Sequence, residues 1–500
     1  MQEHVHDAQP IQRLCVKVNC ARNPSMARRP EAVPPCPKSH RRQDNRMDRM
    51  AESSGTEGQR GGGAEEQGGN ARRSTTSCGG EGNQLHSPVH MISPLPFCAP
   101  LLLRSSGQGI IAKTDTMDVL VLADDLTGAL EAGARFAGCG IEARVTADTG
   151  LMETLAPVLV VDTETRHARP AEAARTIYAL AREGRDRGAR YLYKKTDSTL
   201  RGNIGSELGA ALRASPGSPL LYVPAYPQMG STVKGARLYV RGVPVAETGF
   251  ASDTLNPIAE SNILAVLSEQ CRSPMFSVSV SELQALSPGA IYVCDGETDA
   301  DVDAAARAFA GSNQLRLAAG PAAFAGAIAT RVDLPRRRRA GFPRVAKALI
   351  VNGSLHETSL SQVRRAEACG FETVEPVWED APGWRILKVP AAGQESPLQR
   401  AKRAGELVRQ ILRETDFDAL VVFGGDTAFG ILDALGKPWI LPIGEVLPGV
   451  PLAMLNLGTT RPMYLLTKAG GFGPVDVLEK LRRSLDKETG LGGQFLENDQ

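Results

Sequence analysis

Five consecutive apolar residues at 119–123, V-L-V-L-A, stop abruptly at the carboxylate pair Asp124 and Asp125, and a helix-like pattern starts near Gly128. A strand with no polar alternation has to be covered on both faces, which is the condition of a parallel sheet flanked by helices. The two acids then stand at a strand's carboxyl end, where open α/β sheets bind their ligands.

The same arrangement recurs. From Met117 onward, strand and helix patterns alternate at the spacing of βαβ units. Buried-type strands are expected at 158–162, 191–194, 220–223 and 290–295, and an edge strand at the alternating stretch 141–147. Helices are expected at 128–137, 170–184, 257–267 and 300–310, the second with Ala174, Ile177, Tyr178 and Ala181 on one face. Residues 237–247 read as a hairpin around Arg241-Gly242. The stretch 331–347, with Pro335, the arginines 336–339, Gly341 and Pro343, reads as a linker. A second set of strands follows at 348–351, 419–423 and 463–466. Helices are expected after the first (Leu360, Val363 and Ala366 apolar), at 398–413, and from the second strand to about 435. The expected fold is α/β in two domains, 117–330 and 348–490. Each is a mostly parallel sheet flanked by helices, with the active site in the cleft between them.

With 500 residues and 42% hydrophobic content, each domain has enough material for a core. Lys plus Arg (57) balance Asp plus Glu (56), so no overall field recruits nucleic acid or a membrane, and a small molecule is the expected partner. Nine cysteines without a CxxC pair argue against zinc and for a reducing cytoplasm. No apolar stretch is long enough to span a bilayer. Residues 1–116 differ from the rest, with paired arginines, a glycine run at 61–63 and no sustained period. That composition cannot offset its chain entropy and reads as a disordered, low-complexity tail, and residues 491–500 form a second tail. The tail is either a genuine leader or a gene-model extension upstream of a start at Met117.

The chemistry collects at the strand ends. In the amino-terminal set they carry Asp124, Asp125, Arg166, Lys195, Thr196, Asp197, Ser198 and Arg201. Mixed cations and carboxylates suit a polyhydroxylated acid: cations hold its carboxylate, and acids accept from its hydroxyls. One of Asp124 and Asp125 is expected to cap the following helix, leaving the other for Mg²⁺ or a substrate hydroxyl. In the carboxyl-terminal set three strands end in glycine-rich turns holding Ser354, Gly424, Gly425, Asp426, Thr427, Gly470 and Gly471, with Lys468 beside the last. Such turns bring backbone N–H groups up to phosphate oxygens. There is no P-loop, no GxGxxG in context and no G-x-S-x-G elbow. His167 and His356 stand isolated and receive no metal or base role, and Cys294 reads as core.

At these residues the sequence resembles the four-carbon acid sugar kinase family. The resemblance runs from Met117 to about Leu481, and its carriers follow in order. They are A-D-D-L-T-G (123–128), D-T-E-T-R (162–166), K-K-T-D-S-T-L-R-G (194–202), P-A-Y-P (224–227), N-G-S (352–354), G-G-D-T (424–427) and K-A-G-G-F-G (468–473). It implies an amino-terminal domain for a sugar acid, a carboxyl-terminal domain for ATP with Mg²⁺, and phosphorylation of the terminal hydroxyl of threonate, erythronate or a 3-oxo-tetronate. Asp124, Asp125 or Asp197 would orient or deprotonate that hydroxyl, and Arg166, Lys195 and Arg201 would hold the carboxylate or neutralise developing charge. A homodimer is compatible with it. Two positions depart from the family pattern: Ser231 stands where an arginine is usual, and Ala469 where a serine is usual. The alternatives are a non-catalytic sugar-acid-binding regulatory protein on the same fold, and an NAD(P)-dependent oxidoreductase, which the missing GxGxxG disfavours.

Overall fold

The computed structural model describes residues 117–486, apart from 151–155, 254, 340, 375–382, 390–394 and 460. Both expected tails, 1–116 and 491–500, lie outside the described residues.

The amino-terminal half begins β1 (Val119–Ala123), α1 (Leu126–Gly138), β2 (Ala143–Thr146), β3 (Val158–Asp162), α2 (Pro170–Asp186), β4 (Tyr191–Lys195), α3 (Ile204–Ala214) and β5 (Leu220–Tyr222). A small antiparallel sheet follows, β6 (Ser231–Lys234), β7 (Arg237–Val240) and β8 (Val243–Pro244), then α4 (Ile263–Gln270) and β9 (Met275–Val278). The half closes with β10 (Ile291–Cys294), α5 (Asp299–Gly311), β11 (Leu317–Gly320) and α6 (Ala322–Arg331). The carboxyl-terminal half runs β12 (Lys347–Asn352), α7 (Glu357–Ala368), β13 (Glu372–Val374), β14 (Gly383–Leu387), α8 (Pro397–Glu414) and β15 (Ala419–Phe423). It ends with α9 (Gly425–Ala434), β16 (Trp439–Leu447), β17 (Val450–Asn456), β18 (Met463–Lys468) and α10 (Val477–Leu485).

The α/β class and the mostly parallel sheets flanked by helices are as expected. β1 is buried at all five positions, between parallel β3 and β4. The two halves are joined edge to edge: among the described residues one 15-stranded sheet runs β13-β14-β12-β15-β18-β17-β16-β2-β3-β1-β4-β11-β5-β10-β9. This corrects the reading of 141–147 as an edge strand. β2 pairs with β3 on one side and meets β16 on the other at Val145 and Ile440, a partner nearly 300 residues away that local alternation cannot announce.

Three smaller expectations also change. The helix expected at 257–267 starts only at Ile263, where the Asn262 side chain caps it by accepting from Ala265 N–H. The residues just before it lie along β7, with Leu238 N–H donating to Ser261 carbonyl. On α2 the buried face is Ala173, Ile177, Leu180, Ala181 and Gly184, so Tyr178 faces solvent. On α7 the fully buried residues are Ser359, Gln362 and Ala366; Val363 packs only partly buried against the core, and Leu360 is half-buried. The expected hairpin around Arg241-Gly242 is present, with both turn residues at positive φ (53° and 79°), and β6 completes it as a third strand. Cys294 is fully buried in β10, as expected.

Candidate active site at the seam of the two halves

Strand register puts Ala123, Asp162, Lys195 and Gly320 side by side in one row, so the residues that follow them crowd a single rim. Over this rim the β3–α2 loop folds back, with Thr163 N–H on the Ala123 carbonyl and Arg166 N–H on the Asp124 carbonyl. Glu164 makes that turn possible in a left-handed conformation (φ 47°) that a non-glycine residue adopts at a cost.

Arg166 is the hub. Its Nε donates to Asp124 Oδ2 at 2.8 Å, its Nη1 to Asp125 Oδ2 at 2.7 Å, and its Nη2 stands 3.7 Å from Asp197 Oδ1. Asp197 is held from the other side by Arg201, through Nη2 to Oδ1 at 2.7 Å and Nε to Oδ2 at 3.1 Å. Arg201 in turn reaches Asp253 and lies over the Phe250 ring. Burial by itself would raise both Asp124 and Asp197, but the guanidinium groups outweigh it: Arg166 holds Asp124, and Arg201 with Arg166 holds Asp197, below the usual carboxylate range. Thr196 is fully buried and Ser198 partly buried in the same turn.

The question between the paired acids has a geometric answer. Asp125 Oδ1 accepts Gly128 N–H at 3.0 Å, so Asp125 caps α1 while its other oxygen meets Arg166. Asp124 Oδ2 also meets Arg166, but Asp124 Oδ1 is buried with no hydrogen-bond partner. Lys194 and Lys195 divide likewise, because neighbours on a strand point to opposite faces. Lys194 pairs with buried Glu207 at 3.0 Å, leaving Lys195 on the rim with its ammonium on the Thr196 carbonyl.

A second acidic pair lies behind the first. Burial, then its neighbours Glu164 and Asp125, push Asp162 well above the ordinary range. Burial, then Asp125, push Glu164 up to about 7. Neither acid was singled out in the sequence, although both lie in the D-T-E-T-R stretch.

In the carboxyl-terminal half, Asn352, Phe423 and Lys468 form the corresponding row. Ser354 Oγ accepts His356 N–H, and Gly470 passes so close to Ser354 that a side chain there would collide with it. Gly424, at φ 102°, turns the chain from β15 into α9, where Gly425, Asp426 and Thr427 form the first turn. The loop after β18 is pinned from three directions. Ser359 Oγ donates to the Gly470 carbonyl at 2.8 Å, and Gln362 Nε2 to the carbonyls of Phe472, Gly473 and Pro474. Lys468 Nζ donates to the Ala469 and Phe472 carbonyls. Lys468, which the sequence places beside the last glycine-rich turn, is thus a buried brace for its own loop, and burial lowers it to about 7. Ser359 and Gln362 escaped the sequence reading because polar residues on a helix ordinarily face water. His356 caps α7, accepting from Thr358 N–H.

The two glycine-rich and charged rims meet. A Cβ placed on Gly425 would lie 3.0 Å from Asp125 Oδ2 and 3.2 Å from Thr127 Oγ1. His167 Nε2 stands 3.4 Å from Asp426 Oδ1, an interaction that raises the histidine's pKa. The Phe250 ring stacks on Phe472 at 5.9 Å and packs against Gly471. Further along, Arg135 of α1 pairs with Glu445 of β16 at 3.0 Å. Ser231 is fully buried at the start of β6, its backbone paired both ways with Tyr226, and presents no charge to this seam. Among the described residues no group of three or more His, Cys, Asp or Glu side chains is arranged to hold a metal ion, and no helix is long and apolar enough to cross a membrane.

Comparison with known proteins finds two family models along the chain. A model of a sugar-binding N-terminal domain matches residues 119–328, and one of a nucleotide-binding C-terminal domain matches residues 390–478. The chain is 30% identical over 398 residues to a D-threonate kinase of Bordetella bronchiseptica, covering 73% of this chain and 96% of that protein. It is 27% identical to a 3-oxo-tetronate kinase of Burkholderia multivorans (73% and 96% covered) and 29% identical to a D-erythronate kinase of Heliobacterium modesticaldum (72% and 95%). Solved structures of a Salmonella typhimurium protein (TM-score 0.61, 73% of this chain and 98% of that one) and a Haemophilus influenzae protein (TM-score 0.56, 73% and 100%), each 19% identical, share the fold. Relatedness along nearly the whole of these kinases places the chain in the four-carbon acid sugar kinase family, as a phosphotransferase acting on a sugar-acid hydroxyl.

Proposed function

We propose that the protein transfers the γ-phosphoryl group of ATP to the terminal C4 hydroxyl of a four-carbon acid such as threonate, erythronate or a 3-oxo-tetronate, in the cytoplasm. The observation that carries this reading is that Asp125, bonded to Arg166 of the Asp124–Arg166–Asp197–Arg201 cluster, meets the glycine-rich first turn of α9 at Gly425. The names of the related kinases supply the substrate class.

In this reading residues 117–330 bind the acid, residues 348–490 bind the nucleotide, and 331–347 link them. Ser354, Gly424, Gly425, Asp426, Thr427, Gly470 and Gly471 line the nucleotide's phosphates, where N–H groups at a helix start favour anions. Arg166 and Arg201, fixed by the carboxylates they bridge, orient the acid through in-plane N–H groups that those bonds leave over. Asp124 Oδ1, the unpartnered oxygen, accepts from the C4 hydroxyl and takes its proton as the oxygen attacks. Phosphoryl transfer asks for alignment and charge neutralisation more than for a covalent nucleophile, and no nucleophile is needed here.

Mg²⁺ fits the donor set. Glu164 and Asp426 bring carboxylate oxygens to the seam, where Asp426 pairs with His167 and Glu164, raised first by burial and then by Asp125, is near enough to feel Asp426. Magnesium is commonly held by one or two carboxylates together with phosphate oxygens, so a complete protein cage is not required. When bound it would neutralise phosphate charge at the transferring group.

The test is a coupled assay of ATP consumption by the purified chain against a panel of D- and L-threonate, D- and L-erythronate and 3-oxo-tetronates. Turnover of one or more with the phosphate on C4, shown by NMR of the product, is expected. Saturable binding of an acid without turnover would overturn it.

A further inference from the structure

Lys195 is an unusual cation in this cleft. Arg166, Arg201 and Lys194 each hold a carboxylate, whereas among the described residues no carboxylate lies within ion-pair distance of Lys195. Its side chain is only 4% exposed, and its ammonium donates to the Thr196 carbonyl at 2.9 Å. That ammonium rests on the first turn of α1, where a Cβ on Gly128 would lie 2.6 Å from Nζ. A helix N-terminus carries roughly half a positive charge, which the Asp125 cap partly offsets here, and the buried ammonium stands against that same turn. Asp125 Oδ1 would lie 2.7 Å from the same Gly128 Cβ, and the ammonium's charge helps to hold Asp124 low, so what Lys195 lacks among the described residues is a directly bonded anion rather than compensating charge.

An independent observation points to the same place. Thr127, in the first turn of α1, is 5% exposed, and its hydroxyl oxygen has no hydrogen-bond partner. Its hydroxyl faces the seam, since a Cβ on Gly425 would lie 3.2 Å from Thr127 Oγ1. Gly425 opens α9, a helix whose N-cap, Gly424, has no side chain with which to cap it. Two helix N-termini, one from each half, therefore converge on one unsatisfied hydroxyl with an unpaired ammonium nearby.

We propose that Thr127 and Lys195 form the receptor for the phosphoryl group in transit, donating to its non-bridging oxygens from the α1 side while the first turn of α9 faces it from the other. This rests on the kinase reading above and assigns Lys195 to phosphoryl rather than to the acid's carboxylate. As the acceptor oxygen bonds to phosphorus, the bond to the bridging oxygen of the nucleoside diphosphate breaks, and that electron pair leaves with the diphosphate. The hydroxyl proton passes to Asp124, and Thr127 and Lys195 keep theirs.

The test uses the full chain and the Thr127→Val, Thr127→Ser and Lys195→Met variants, each checked for an unchanged melting temperature. Removing one preorganised donor to a transferring group costs on the order of 10²-fold in kcat. Thr127→Val and Lys195→Met are therefore expected to lose about that factor, with the KM of the acid within about threefold, and Thr127→Ser to recover most of it. Calorimetry supplies a readout independent of turnover. Wild-type protein should bind adenosine 5′-(β,γ-imido)triphosphate more tightly than ADP, and both variants should lose that preference while keeping ADP affinity. A Thr127→Val enzyme with wild-type kcat, or a Lys195→Met enzyme with raised acid KM and intact triphosphate preference, overturns the proposal. Wild-type protein that turns over none of the four-carbon acids overturns the substrate reading instead, and the calorimetric arm still decides the role of Thr127 and Lys195.

Discussion

Adjacent residues of one type take different work because the backbone aims them differently. Asp125 spends both oxygens, one on the α1 cap and one on Arg166, whereas Asp124 keeps a buried oxygen free. Asparagine caps a helix about as well as aspartate, so Asp125→Asn should leave the melting temperature within a few degrees and lower kcat less than about tenfold. Asp124→Asn removes the acceptor and leaves Arg166 short of a partner, so kcat should fall by roughly 10²- to 10⁴-fold. Steady-state kinetics of the two variants decide the assignment, and the reverse order of effects would exchange their roles. The sequence showed that one of the pair caps and one is free. It could not show which, because that depends on where Arg166 arrives from a loop 40 residues on.

The elements most legible in the sequence were those whose signal is local. Apolar runs gave β1, β3, β4 and β15, and turn glycines marked the nucleotide-side loops. What stayed hidden is defined by partners distant in the chain. The polar face of α7 is buried because Ser359 and Gln362 reach the loop after β18, and β2 is interior because β16 lies beside it. Lys468 belongs to this class: a strand-end lysine looks like an anion ligand until its partners are known. Its buried amine titrates near 7 in the folded protein against an ordinary 10.5. Between those pH values the unfolded chain binds the extra proton, so stability gains from this group as pH rises, by at most roughly 1.4 kcal/mol per pH unit. Chemical denaturation from pH 7 to 10 should therefore show wild type gaining stability relative to Lys468→Met. With the Ala469 and Phe472 carbonyls unbraced, the variant's KM for nucleotide should rise several-fold while its KM for the acid holds. A flat stability difference across that range would mean the amine is not desolvated as the structure has it.

At the scale of the whole molecule the halves share one sheet through a narrow joint, the meeting of β2 and β16 at Val145 and Ile440. Contacts away from that joint therefore decide how closely the two rims proposed for the acid and the nucleotide approach. Gly425 sits at one of these, where the two rims meet. An alanine methyl there would stand 3.0 Å from Asp125 Oδ2 and 3.2 Å from Thr127 Oγ1, so either those side chains or the halves must yield by a few tenths of an ångström. Gly425 is the first residue of α9 and its φ is not positive, so an alanine is compatible with its backbone conformation. Displacements of this size matter to transfer because the reacting atoms must be aligned to within a fraction of an ångström, and a shift near 1 Å can cost on the order of 10²-fold. Gly425→Ala should accordingly keep its melting temperature within a few degrees, bind ADP and the sugar acid singly with near wild-type affinity, and lose about tenfold in kcat. Gly425→Val, with a larger group in the same gap, should lose more. Unchanged turnover in both variants would show that the rims do not close at Gly425, and a collapse in melting temperature would show that this glycine serves the packing of α9 rather than the approach of the two substrates.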